Sequence, residues 1–277
     1  MAAWRRPYGW RTDVARYGVE RRLEAGAANL WHNLRLPGAL WYLAAAALVT
    51  SAGGILTANK FVLPALDVAA VLPVYVWLRL HRGLQGAAFA FLWWSFCKGV
   101  AVASFTVLFP AQAGAAVAYG PAYAEGMTLW VGSGADLAGV GAWGTWRWKE
   151  ALALGALSLV TAGVAGLAFA ATLLNCQAYY VGTLFLRAAE PWKVVVLGWP
   201  LWEVFRALAF VNILLAAAEP TLALVLRRPV RAGEIRDGVM VAFLMLVAAY
   251  LAQTYLAPWW REALAPALFF DVPVATS

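Results

Sequence analysis

No charged side chain interrupts the sequence between Glu150 and Arg187. About 20 consecutive apolar residues cross a hydrocarbon core as one helix, so a run of this length is membrane material. Comparable runs recur along the chain, which is 64% hydrophobic and only 13% charged, with a mean hydropathy of +0.70. In lipid every backbone N–H and C=O must find its partner inside the protein, which leaves helices or closed barrels. A barrel alternates apolar and polar residues over strands of about ten. These Ala-, Leu- and Val-rich runs do not alternate, so the expected fold is an all-α, polytopic helical membrane protein.

The charge is uneven. Seven of the 21 Lys and Arg fall in the first 35 residues (Arg5, Arg6, Arg11, Arg16, Arg21, Arg22 and Arg35), against Asp13, Glu20 and Glu24. A basic stretch beside a membrane span reads as an orientation signal touching anionic lipid, not as a nucleic-acid site. Trp10, Val14 and Tyr17 recur at helical spacing, as do Leu23, Ala27, Leu30 and Trp31, which predicts an interfacial amphipathic segment over 1–35 on the cytoplasmic face. The apolar run begins only near Leu36, too late for a cleavable signal peptide. Residues 36–277 are expected to form a single helical membrane domain in the bacterial inner membrane.

Spans are expected at about 40–58, 61–77, 86–109, within 150–186, within 201–226, and at 239–256. The second carries Pro64, Pro73 and Asp67 and reads as short or broken. The stretch 110–149, with Trp130, Trp143, Trp146 and Trp148, is expected as an outer Trp-rich loop at headgroup level. Taking 150–186 as one long tilted helix gives six spans with both termini inside. That count leaves Arg227, Arg228, Arg231 and Arg236 outside, although a basic connection is expected on the cytoplasmic side. A hairpin within 150–186 would give seven spans, and a re-entrant second span would give five.

Ionisable groups at membrane depth are costly and mark candidate sites. Asp67 and Lys98 lie on neighbouring spans and are placed to pair. Glu203 and Arg206, three residues apart, share a helical face. Glu219 precedes Pro220, whose ring frees a carbonyl one turn earlier. Ser158, Ala162, Gly166 and Ala170 recur every four residues, a ladder that would let another helix approach closely. Asn175, Gln177, Tyr179 and Tyr180 add a polar patch suited to interhelical hydrogen bonds.

Catalytic constellations are missing from this pattern. There is no Gly-x-Ser-x-Gly elbow, His-Glu-x-x-His or phosphate loop. His32 and His81 are the only histidines, and Cys97 and Cys176 sit alone in apolar segments, so neither a metal centre nor a cofactor site is expected. The segment Trp143-Gly-Thr-Trp-Arg-Trp-Lys-Glu150 resembles the tryptophan-rich signature of haem-handling proteins in cytochrome c maturation. Arg147 and Lys149 interrupt that pattern and no histidine flanks it as an axial ligand. The stretches Leu173-Leu-Asn-Cys-Gln-Ala-Tyr-Tyr-Val-Gly182 and Gly198-Trp-Pro-Leu-Trp-Glu-Val-Phe-Arg-Ala-Leu-Ala-Phe210 resemble uncharacterised bacterial multi-pass proteins. The last third is loosely similar to the stage II sporulation protein M class. That resemblance implies a helical membrane fold and no particular activity. The expected role is a non-enzymatic membrane subunit of a transport or assembly complex, with lipid and other membrane subunits as partners. The alternative is a self-contained transporter or channel using Asp67, Lys98 and Glu219 around a polar midplane.

Overall fold

The computed structural model describes residues 36–133 and 140–268, with backbone alone at 133 and 140–146. The expected interfacial segment at 1–35 lies outside the described residues. The chain divides into two compact units, Met1–Trp41 and Tyr42–Ser277. Of the first, only the opening of a helix is described, and everything below concerns the second.

Among the described residues there are ten α-helices and no strand. In chain order they are α1 (Leu36–Leu56), α2 (Val62–His81), α3 (Gly83–Leu108), α4 (Pro110–Ala116), α5 (Gly120–Ser133), α6 (Val140–Val160), α7 (Val164–Leu186), α8 (Pro191–Leu197), α9 (Leu201–Val225) and α10 (Ala232–Leu264). Six of them, α1, α2, α3, α7, α9 and α10, are long and apolar enough to cross a membrane. The chain is thus built as a multi-pass helical membrane protein. The 110–149 stretch, expected as a loop, holds α4, α5 and the start of α6, helped by its Ala, Met and Leu residues, which are good helix formers.

The uncharged run is not one helix. Thr161, Ala162 and Gly163 turn the chain between α6 and α7. Ala162 and Gly163 adopt the left-handed region, at φ +53° and +94°, and Gly163 N–H donates to the Ser158 carbonyl at 2.9 Å. This is the capping geometry that ends a helix where glycine removes the Cβ penalty. Thr161 braces both sides: its hydroxyl donates to Leu157 O and accepts from Ala165 N–H. A Cβ on Gly163 would press on Tyr75 and Ala218 at 3.1–3.2 Å, so the turn is also packed tightly.

Helix directions follow from who meets whom. Along α2, Asp67 meets Asn175 of α7 and Tyr75 meets Gly163, so α2 and α7 run antiparallel. Lys98 of α3 shares the Asp67 level, and Thr106 lies against Gly182 of α7, so α3 and α7 run parallel. Two parallel crossings need a return between them. Helix α6, folded back on α7 by the 161–163 turn, supplies that return although Arg147, Lys149 and Glu150 make it less apolar than the other six. The turns at 82–83, 161–163 and 226–231 therefore share one face, and 57–61, 109–119 and 187–200 share the other. This arrangement sets α6, antiparallel to α7, beside the six helices that are long and apolar enough to cross a membrane. It places Arg227, Arg228, Arg231 and Arg236 on the same face as Arg82, removing the conflict in the six-span arginine count.

Burial grades across the bundle. Helix α9 is the most enclosed, with 61% of its span buried, followed by α7 at 56%; α10 is peripheral, with 11% buried. Helix α10 lies along α9, and its Trp260 ring packs edge-on to Trp202 and stacks on Trp130 of α5. The Trp260 indole N–H donates to Leu197 O at 2.8 Å, fastening the end of α10 to α8.

Candidate functional site

Three polar groups are set into this apolar bundle. The first joins four helices. Lys98 Nζ (α3) lies 2.7 Å from Asp67 Oδ1 (α2), and the Thr50 hydroxyl (α1) donates to the same oxygen at 2.7 Å. Lys98 also donates to Thr50 Oγ1 at 3.1 Å, while Asn175 Nδ2 (α7) donates to Asp67 Oδ2 at 3.3 Å. Asp67 and Lys98 are both 0% exposed. Two opposite charges so enclosed persist because each neutralises the other and the spare lone pairs find donors. The structure thus brings Asp67 and Lys98 together.

The second group closes the basic face. Glu219 (α9), 0% exposed, receives Arg79 Nη2 (α2) at 2.5 Å and Arg228 through Nη1 and Nη2 at 2.6 and 2.8 Å. Arg79 also reaches Glu234 of α10 at 2.9 Å. Arg231 then donates to Arg79 O at 2.9 Å and Leu80 O at 3.4 Å. The bonds from Glu219 hold the Arg228 guanidinium above its ordinary pKa. Glu219 therefore ties α2, α9 and the 226–231 connection together; it does not line the cavity described below.

The third group sits at about the depth of Asp67. Arg206 lies 13 residues before Glu219 on α9, about 20 Å along the axis, and Asp67 precedes Arg79 by a similar rise. Glu203 and Arg206 pair within α9, as their spacing predicts, and Arg206 Nη2 donates to Gln253 of α10 at 2.9 Å. From α6, Arg147 pairs with Glu150 at 2.8 Å and approaches Glu203 at 4.0 Å. Beside them the Tyr123 hydroxyl (α5) donates to Gln177 Oε1 (α7) at 2.6 Å. Two guanidinium groups and two carboxylates leave this cluster neutral as a set.

These residues form one end of a cavity of about 2260 Å³. Its other walls are mostly apolar, with Ala65 and Val68 of α2, Phe91 and Phe96 of α3, Ala168 and Leu173 of α7, and Ala207 and Val211 of α9, and they include one further charged residue, Lys60. Two donors among the wall residues have no acceptor. Gln177 Nε2 and Trp94 Nε1 make no hydrogen bond, although Gln177 is 8% and Trp94 2% exposed. A buried unsatisfied donor costs about 1–3 kcal/mol; both atoms are closed to water, so they are packed away from the open space of the cavity.

The small-residue ladder is divided by the turn. Ser158 and Gly166 lie on opposite arms of the hairpin, where a Cβ on Gly166 would fall 1.9 Å from Ser158 Oγ. Ala162 occupies the turn, and Ala170 lines the cavity. Arg147, Glu150, Tyr123 and Gln253 were not singled out as intramembrane groups, because nothing local to them announces their distant partners. Among the described residues no group of three His, Cys, Asp or Glu side chains could hold a metal ion. No family model, curated protein or solved structure matches the chain.

Proposed function

We propose that this multi-pass membrane protein holds an amphiphile within the bilayer and serves membrane transport. The apolar chain of the amphiphile occupies the cavity, and its polar head meets Arg147, Glu150, Glu203 and Arg206. The observation that carries this reading is the cavity: a large apolar volume with charge gathered at one end. Binding sites of this kind take shape from apolar walls and specificity from a few convergent polar groups. Asp67, Lys98 and Glu219, the expected midplane residues, serve instead as interhelical ties in this reading.

The distribution of arginines favours placing the first 35 residues and the 226–231 connection in the cytoplasm. The charged end of the cavity then opens toward the outer leaflet of the bacterial inner membrane. A second reading, a subunit of a transport or assembly complex, is favoured by α10. That helix leaves Phe243, Tyr250 and Tyr255 exposed along its outer side, where lipid or another subunit would cover them.

Binding of a phospholipid with a fluorescent acyl chain to the purified protein tests the cavity. Ala168→Trp and Ala207→Trp fill its walls and should each weaken that binding at least about tenfold, a loss of about 1.4 kcal/mol. Unchanged binding in both variants would remove the proposal.

A further inference from the structure

The cavity reading says that an amphiphile binds; the charges along the cavity lining say which sign of headgroup it carries. We infer that the ligand is an anionic lipid, with a headgroup of net charge −1 met at the cavity mouth by Lys60. This rests on the cavity reading above and adds the headgroup class.

The net charge of the lining is the first argument. Among the described residues, Lys60, Arg147 and Arg206 line the cavity against Glu150 and Glu203. Arg147 pairs with Glu150 and Arg206 with Glu203, so each guanidinium already has a carboxylate beside it. Lys60 has no carboxylate; its ammonium lies over the Phe61 ring, 5.3 Å from the centroid. The lining therefore carries one positive charge in excess. A lipid without headgroup charge, or with one charge of each sign, leaves that excess unanswered. A headgroup of net charge −1 neutralises it, and the difference between the two cases is the specificity.

The position of Lys60 is the second argument. It precedes Asp67 by seven residues, about 10 Å along α2, and Arg206 lies at about the depth of Asp67. Lys60 thus stands nearer the membrane face than either ion pair. Phe61 and Tyr119 line the cavity as well and are 73% and 80% exposed, so this end is open. A headgroup entering from that face meets Lys60 first. The backbone around Lys60 is fixed by an Asx turn, in which Phe61 N–H donates to Asn59 Oδ1 at 3.0 Å. The first turn of α2 that follows has no acidic residue and no side-chain cap, so the positive end of its dipole adds to the same sign.

Below the charged level there is room for acyl chains. The lining runs along α9 from Glu203 to Leu214, about 16 Å. One leaflet of a hydrocarbon core is about 15 Å thick, so the depth suits the chains of an ordinary membrane lipid.

Competition experiments on the full-length protein in mild detergent test this. The fluorescent-chain phospholipid is displaced by dioleoyl phosphatidylglycerol, dioleoyl phosphatidylethanolamine or dioleoylglycerol. Phosphatidylglycerol should compete at a concentration at least about fivefold lower than the other two, the ratio that one basic group beside an anionic headgroup supplies. Lys60→Gln should abolish that preference without changing displacement by dioleoylglycerol, and Lys60→Arg should keep it. Because Lys60 is exposed, neither change removes a buried contact, and the dioleoylglycerol arm reports whether the cavity itself is intact. Equal competition by phosphatidylglycerol and phosphatidylethanolamine, or a preference that survives Lys60→Gln, overturns the headgroup assignment and leaves the cavity reading intact. Failure of the wild-type protein to bind the fluorescent lipid overturns both.

Discussion

Lys98 Nζ and Asp67 Oδ1 stand 2.7 Å apart on consecutive helices, with neither side chain exposed. Thr50 and Asn175 complete the hydrogen bonding from α1 and α7, so one ion pair fixes the relative positions of four helices.

Removing either partner leaves the other charge buried and unmatched. Asp67→Asn and Lys98→Met should each lower stability by about 3–5 kcal/mol. The double variant should lose less than the two losses added together, because no orphaned charge remains. Unfolding of all three variants in one detergent measures the difference; strict additivity would show that the pair is not energetically coupled.

Glu219 makes a sharper case, since Arg79 and Arg228 both depend on it. Glu219→Gln should destabilise the protein by about 3 kcal/mol or more. Arg228→Gln should cost less than Arg79→Met, because Arg228 keeps some solvent access while Arg79 has none. Thermal melting that ranks Arg228 above Arg79 would contradict this account of the network.

The hairpin turn yields two opposite changes. Gly163→Ala places a Cβ at φ +94° against Tyr75 and Ala218 and should cost about 1–2 kcal/mol or more. Ala162→Gly relieves φ +53° and should be neutral or stabilising, despite the larger chain entropy of glycine. Equal destabilisation by both would argue against the left-handed turn.

Topology is open to cysteine labelling in a variant lacking Cys97 and Cys176. With α6 crossing, cysteines at Phe61 and Trp192 react from one side and a cysteine at Gly233 from the other. A single helix through 150–186 would instead pair Phe61 with Gly233. All three positions are exposed, so reactivity depends on the side of the membrane.

The class of fold was legible because apolar runs need no tertiary context: length and hydropathy alone mark the six helices. The break at 161–163 was not. Thr161, Ala162 and Gly163 are small residues common inside membrane helices, and only the left-handed backbone reveals the turn. Glu203 with Arg206 was readable from i,i+3 spacing, and Asp67 with Lys98 from adjacency of their spans. The link from Arg79 to Glu219 was hidden by a sequence separation of 140 residues. Arg147 and Glu150 were obscured differently, since a Trp-rich flank made their segment read as an interfacial loop.

Helix α6 carries three charged residues, Arg147, Lys149 and Glu150, beside α7, which carries none. Each such residue near a helix centre opposes insertion by about 2.5–3.5 kcal/mol, and one nearer the end by less. A bilayer position for α6 would therefore depend on its neighbours: α7, whose 23 residues carry no charge, and Glu203 on α9, which stands 4.0 Å from Arg147 as a second carboxylate.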